Sequence, residues 1–159
     1  MNSKKICFIG HRNIYDNKIE EKLTEIIKKE IKNGYNYFSM GTHGEFDKIA
    51  LSVCRNLRKE YKHIEIEVVI TSLNQIKPII EYDKIFGTSK YVPYDDVKTI
   101  MYNIEEEYFK KRILISNKQM IENSDCLICY VNTNNQKSGA KTTYTYAKEK
   151  GLRIINIFK

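Results

Sequence analysis

The run Tyr35-Asn-Tyr-Phe-Ser-Met40 passes directly into Gly41-Thr-His-Gly-Glu-Phe-Asp-Lys-Ile-Ala50. The first half is short and apolar, which suits a buried strand. The second half packs two glycines, a histidine and two carboxylates into one turn and then opens a helix. Phe46, Ala50, Val53, Cys54 and Leu57 recur at helical spacing and mark its inner face. A strand, a glycine turn and an amphipathic helix in this order form the repeating unit of a parallel α/β sheet.

Working outward, the same unit recurs. Lys5-Ile-Cys-Phe-Ile9 reads as a strand buried on both faces and ending at Gly10. Ile19, Leu23, Ile26, Ile27 and Ile31 form the apolar face of the helix that follows, with Asp16 expected as its cap and Gly34 as its left-handed stop. Ile64 to Ile70 alternates and then becomes continuous, as a strand near a sheet edge does. Cys126 to Val131 is a further strand. A polar loop, Asn132 to Gly139, leads to a helix through Lys150 that stops at Gly151, and Arg153 to Ile157 is the last strand.

The middle of the chain is less regular. Ser72 to Ile80 reads as a short helix and Lys84 to Val92 as a weak edge strand before Pro93. Asn103 and Glu106 have capping-box spacing for a helix reaching toward Asn123, with Glu106–Lys110 and Glu107–Lys111 as favourable i,i+4 pairs. With no repeats and no linker, residues 1–159 read as one Rossmann-like three-layer α/β domain. Its sheet is expected to be mainly parallel, with helices on both faces.

At 159 residues, with 42% hydrophobic and 30% charged residues, the chain has the profile of an ordinary globular domain. No run reaches the roughly 18 apolar residues of a membrane span. No cleavable signal is read ahead of Lys4, so a cytoplasmic protein with no membrane partner is expected. Cys126 and Cys129 are three apart on a strand, which puts their thiols on opposite faces and argues against joint chelation. Cys7 and Cys54 suggest no disulfide framework either. A net charge of +7 favours an anionic partner. The lysines are dispersed, as on a solvated surface, although twelve tyrosines would also suit stacking on single-stranded nucleic acid.

Ligands of open α/β sheets bind beyond the carboxyl ends of the strands, and three loops lie there. Gly10, His11 and Arg12 combine close backbone approach, a titratable ring and a planar phosphate fork. Gly41, Thr42, His43, Gly44, Glu45 and Asp47 form the opening turn, whose carboxylates suit sugar hydroxyls or a base amino group better than phosphate. Asn132, Ser138, Gly139, Thr142 and Thr143 open the late helix, where hydroxyls and free N–H groups favour an anion. His11 and His43 lack metal-ligand spacing, so no metal or resident cofactor is expected.

Phe8-Ile-Gly-His-Arg12 and Gly41-Thr-His-Gly-Glu-Phe-Asp47 with Ala50 resemble the SLOG superfamily, which joins the DNA-processing protein DprA/Smf to the Lonely Guy phosphoribohydrolases. The likeness continues through Asn117 to Asp125, Cys126 to Val131 and Tyr146 to Gly151, and is strongest to the small YpsA-like proteins. It spans most of the chain except Ser72 to Tyr102. The resemblance implies a Rossmann-like fold with a nucleotide-derived ligand over these loops. It departs at Ser138 to Thr145, where Lys141 replaces a glycine and Thr145 stands in place of the glutamate that helps cleave the base–ribose bond in Lonely Guy enzymes.

Three functions remain open. The leading one is a sensor or sequestering domain for a nucleotide or an NAD- or ADP-ribose-derived metabolite, which the resemblance connects with bacterial and phage immunity. The second is an N-glycoside hydrolase or transferase in which Glu45 acts on the anomeric carbon and Asp47 or His11 handles protons. The third is a single-stranded DNA-binding module. A homo-oligomer is expected in each case.

Overall fold

Four consecutive buried residues, Ile6 to Ile9, make β1 (Lys5–Gly10) an inner strand of the sheet. The computed structural model describes residues 3–72, 75, 94–102, 104, 108–135 and 137–158. Six parallel strands form one sheet in the order β4-β3-β2-β1-β5-β6. These are β1, β2 (Tyr37–Met40), β3 (Glu65–Val69), β4 (Lys98–Ile100), β5 (Cys126–Tyr130) and β6 (Arg153–Asn156). The fold is the expected Rossmann-like α/β domain. Sheet growth runs from β1 toward β4, then returns to the other side of β1 for β5 and β6.

Helices α1 (Ile19–Lys32) and α2 (Glu45–Arg58) cover one face, around Ile6, Phe8, Leu23, Ile27, Phe38, Phe46 and Ile128. Helices α3 (Phe109–Glu122) and α4 (Gly139–Glu149) cover the other, around Cys7, Ile9, Met120, Leu127, Cys129 and Ala147. Side chains alternate across each strand, so Cys126 joins the first core and Cys129 the second, as the three-residue offset requires. All four cysteines are buried free thiols. Burial pushes Cys7 up to about 12, which leaves it unreactive.

Helix α1 has Glu20 and Glu21 in its first turn and Lys29 and Lys32 in its last, matching the dipole. Gly34, at φ 101°, turns the chain out of it. Asp16 is not its cap. The cap position is Lys18, and Asp16 accepts the Lys18 N–H at 2.9 Å while pairing with Lys22 at 2.7 Å. The carboxylate therefore closes a turn ahead of the helix.

One edge strand is β4, which the sequence reading missed because three residues carry too little periodicity. Arg55 and Arg58 of α2 both grip Asp96 just ahead of it, at 2.7 Å each. The strand expected at 84–92 and nearly all of the helix expected at 72–80 lie outside the described residues. Helix α3 starts at Phe109, later than an Asn103 cap implies, and Ile104 is not helical. Tertiary contacts mark that start: the Phe109 ring meets His43 edge-on at 5.5 Å, and Arg112 donates to the Thr71 carbonyl at 3.1 Å. Asn103 and residues 105–107, including the two glutamates of the expected pairs, lie outside the described residues. Among the described residues no helix is long and apolar enough to cross a membrane.

Candidate functional site

The strand order places the carboxyl ends of β2, β1 and β5 side by side. A cleft of about 460 Å³ opens there, at the point where sheet growth reverses. Its walls come from Ile9 to Arg12 at the end of β1 and just after it, from His43 and Asp47 around the start of α2, and from Lys137 to Ala140 with Thr142 around the start of α4. Helix α3 adds Lys110, Ile113, Leu114 and Asn117. The α3 residues have no counterpart in the sequence reading, whereas Lys137 and Ala140 fall within the expected third loop and helix start without being singled out there. Ile113 and Asn117 share a helix face, but that spacing does not say which neighbour the face meets.

Two glycines set the floor. A side chain at Gly10 would put Cβ 2.4 Å from the Phe46 ring, so its absence lets α2 dock against the end of β1. Gly44 has φ 138°, and a Cβ there would lie 2.7 Å from the Arg12 Cα. That close approach allows the Glu45 N–H to donate to the Arg12 carbonyl at 2.8 Å.

His11 joins the first and third loops. Its N–H donates to the Tyr130 carbonyl at 3.2 Å, and its Nε2 accepts the Asn132 N–H at 2.7 Å. A backbone donor at Nε2 requires a neutral ring with its proton on Nδ1. Burial also holds the imidazole below its ordinary value. Nε2 is thereby occupied, and His11 acts as a loop strap.

In the α2 turn the two carboxylates separate. Glu45 is exposed, and its Oε2 accepts the Ile14 N–H at 3.3 Å, away from the cleft lining. Asp47 points inward: its Oδ2 accepts the His43 N–H at 2.9 Å, and burial pushes it up to about 6. Gly41 leaves room for that carboxylate, since a Cβ there would sit 3.1 Å from Oδ2. The His43 ring meets the Thr71 hydroxyl at 2.9 Å, and burial, with help from Arg12, lowers its pKa. Thr42 Oγ1 is buried with no hydrogen-bond partner among the described residues.

At α4, Ser138 is the cap and accepts the Lys141 N–H at 2.9 Å. Gly139 and Ala140 line the cleft at the helix start, where first-turn N–H groups favour anions. Thr143 is buried and turns its hydroxyl back to the Gly139 carbonyl at 3.1 Å. Asn132 stands behind the lining, bonded to His11. Of the residues proposed from sequence, Gly10, His11, Arg12, His43, Asp47, Ser138, Gly139 and Thr142 line the cleft. Gly41, Thr42, Gly44, Glu45, Asn132 and Thr143 support it from behind or beside.

Arg12, Lys110 and Lys137 are exposed at the rim and make no ion pair among the described residues. Among the described residues the cleft therefore offers three cations without an ion pair, a helix start and a single carboxylate. No group of three or more His, Cys, Asp or Glu residues among the described residues could hold a metal ion. No protein-family model matches the chain, and no curated protein matches it either.

Proposed function

We propose that the chain binds a nucleotide or an NAD- or ADP-ribose-derived metabolite in this cleft, as a sensor or sequestering protein. The observation that carries the reading is the set of three cations, Arg12, Lys110 and Lys137, without an ion pair among the described residues, around a cleft that includes the start of α4. Such an arrangement favours a compact polyanion such as a pyrophosphate. The volume lies within the roughly 300–1,000 Å³ of small-molecule sites. The SLOG resemblance points the same way.

Glycoside cleavage has one feature in its favour, a carboxyl group with a pKa raised to about 6 at Asp47. Such chemistry ordinarily uses two flanking carboxylates, and Glu45 is engaged with Ile14 outside the lining. Binding is therefore the preferred reading. Mass spectrometry of small molecules released from heat-denatured protein tests it, together with calorimetry against ADP-ribose, NAD and nucleoside monophosphates. An intact nucleotide or a saturable titration supports binding. Free base with ribose phosphate, or base release on incubation, supports the hydrolase.

A further inference from the structure

Asp47 is the one carboxylate among the described lining residues. Its Oδ2 is held by the His43 N–H, while Oδ1 has no hydrogen-bond partner among the described residues. The charged and titratable groups that share the cleft with it come from several elements. His11 and Arg12 come from the loop after β1, Lys110 from α3, and Lys137 from the turn before α4. Tyr94, ahead of β4, feels its charge, and the His43 ring lines the same cleft. Glu45, on the same helical turn, is directed to the Ile14 N–H. None of the cations pairs with Asp47 among the described residues, so its half-buried carboxylate has no counter-ion there.

We propose that Asp47 is a specificity-determining residue that meets an anionic ligand in its protonated form and donates that proton to a phosphate or pyrophosphate oxygen, so that binding takes up one proton from solvent. This inference rests on the proposed nucleotide reading. A ligand anion in the cleft adds like charge beside a carboxylate, which favours the neutral acid. A ligand hydroxyl donating to Oδ1 would favour the anion instead. Charge–charge repulsion across a partly desolvated cleft outweighs the net gain of one neutral hydrogen bond, so proton uptake wins. The burial that already raises Asp47 to about 6 reduces the cost of that uptake at neutral pH.

ADP-ribose is the probe, because its pyrophosphate diester keeps a constant charge across the range used. Calorimetry between about pH 5.5 and 8, in buffers of different ionisation enthalpy, counts protons as well as affinity. In the wild type, affinity should weaken roughly tenfold per pH unit once the pH passes the free-protein value of Asp47, with close to one proton taken up per ligand. Asp47→Asn keeps an acceptor for the His43 N–H and presents an NH₂ donor in place of the acid proton. It should bind with little pH dependence and more tightly than the wild type at about pH 8. Because the variant retains His11 and His43, a full slope persisting in it would assign the proton to a histidine and overturn the proposal. Carboxyl-carbon NMR of the wild type gives an independent readout: ADP-ribose should raise the Asp47 titration midpoint, and a lowered midpoint would also overturn it. Binding with no pH dependence rejects this inference and leaves the nucleotide reading standing, whereas no binding at any pH rejects both.

Discussion

The Nε2 of His11 accepts the backbone N–H of Asn132 across 2.7 Å, although the two residues are 121 apart in sequence. This bond fastens the loop after β1 to the loop after β5, on either side of the line where the sheet changes direction. His11→Ala should cost about 1–3 kcal/mol in urea unfolding, the range for leaving a backbone donor unpaired. His11 has a lowered folded pKa, so its contribution is complete above the unfolded value of 6.5 and is lost as pH falls through the folded value. The stability difference between wild type and His11→Ala should therefore narrow below about pH 6.5. A constant difference would mean that the ring binds its proton equally well in both states.

Asp47 has the opposite sign. The folded protein raises it from 3.8 to about 6, so it binds its proton more tightly than the unfolded chain does. Its contribution is complete below 3.8 and is lost as pH rises through about 6. Asp47→Asn should accordingly stabilise the free protein at neutral pH by about 1–2 kcal/mol, below the ceiling of the full shift because the residue is partly exposed. Thermal unfolding at about pH 4.5 and 7.5 checks this, and the gain should shrink at the lower pH.

Gly44→Ala should destabilise the fold by about 2 kcal/mol or more, because it adds a positive-φ penalty to a clash with the Arg12 backbone. Arg12 would then shift, and ADP-ribose affinity should fall along with stability. A fully stable Gly44→Ala protein would show that the turn has room to relax.

Arg12→Ala should weaken ADP-ribose binding by about 1.5–3 kcal/mol, with Arg12→Lys recovering part of the loss. Unchanged calorimetric affinity would remove the guanidinium from the ligand's contacts.

Glu45→Gln should alter stability by no more than about 1 kcal/mol and leave ADP-ribose affinity nearly unchanged, since its carboxylate serves the Ile14 N–H. Base release by the wild type that disappears in Glu45→Gln would reverse the preference for binding over cleavage.

The class of fold and the three loops are legible in the sequence because burial periodicity is a local property. Ile6 to Ile9 and Cys126 to Cys129 have the continuous apolar pattern of strands covered on both faces. Phe46 to Leu57 repeats at the period of a helix with one side buried. Alternating such segments leaves few arrangements other than a parallel sheet between helical layers, and the loops after its strands follow from that.

The chemistry within the cleft is a different matter. Glu45 and Asp47 are the same type of residue in the same turn, but two positions on a helix are about 200° apart, so only one of them can face the ligand. Which one depends on how α2 is rotated, and the contact of Phe46 with the bare Cα of Gly10 sets that rotation. The state of His11 is decided by a donor on the neighbouring loop, 121 residues away in sequence. Lys110 and Asn117 join the cleft because Phe109 and Arg112 dock on His43 and Thr71. Local sequence encodes which face of an element is apolar, but the meeting of faces from distant elements is a property of packing, and at this cleft packing alone turned Asp47 inward and Glu45 away.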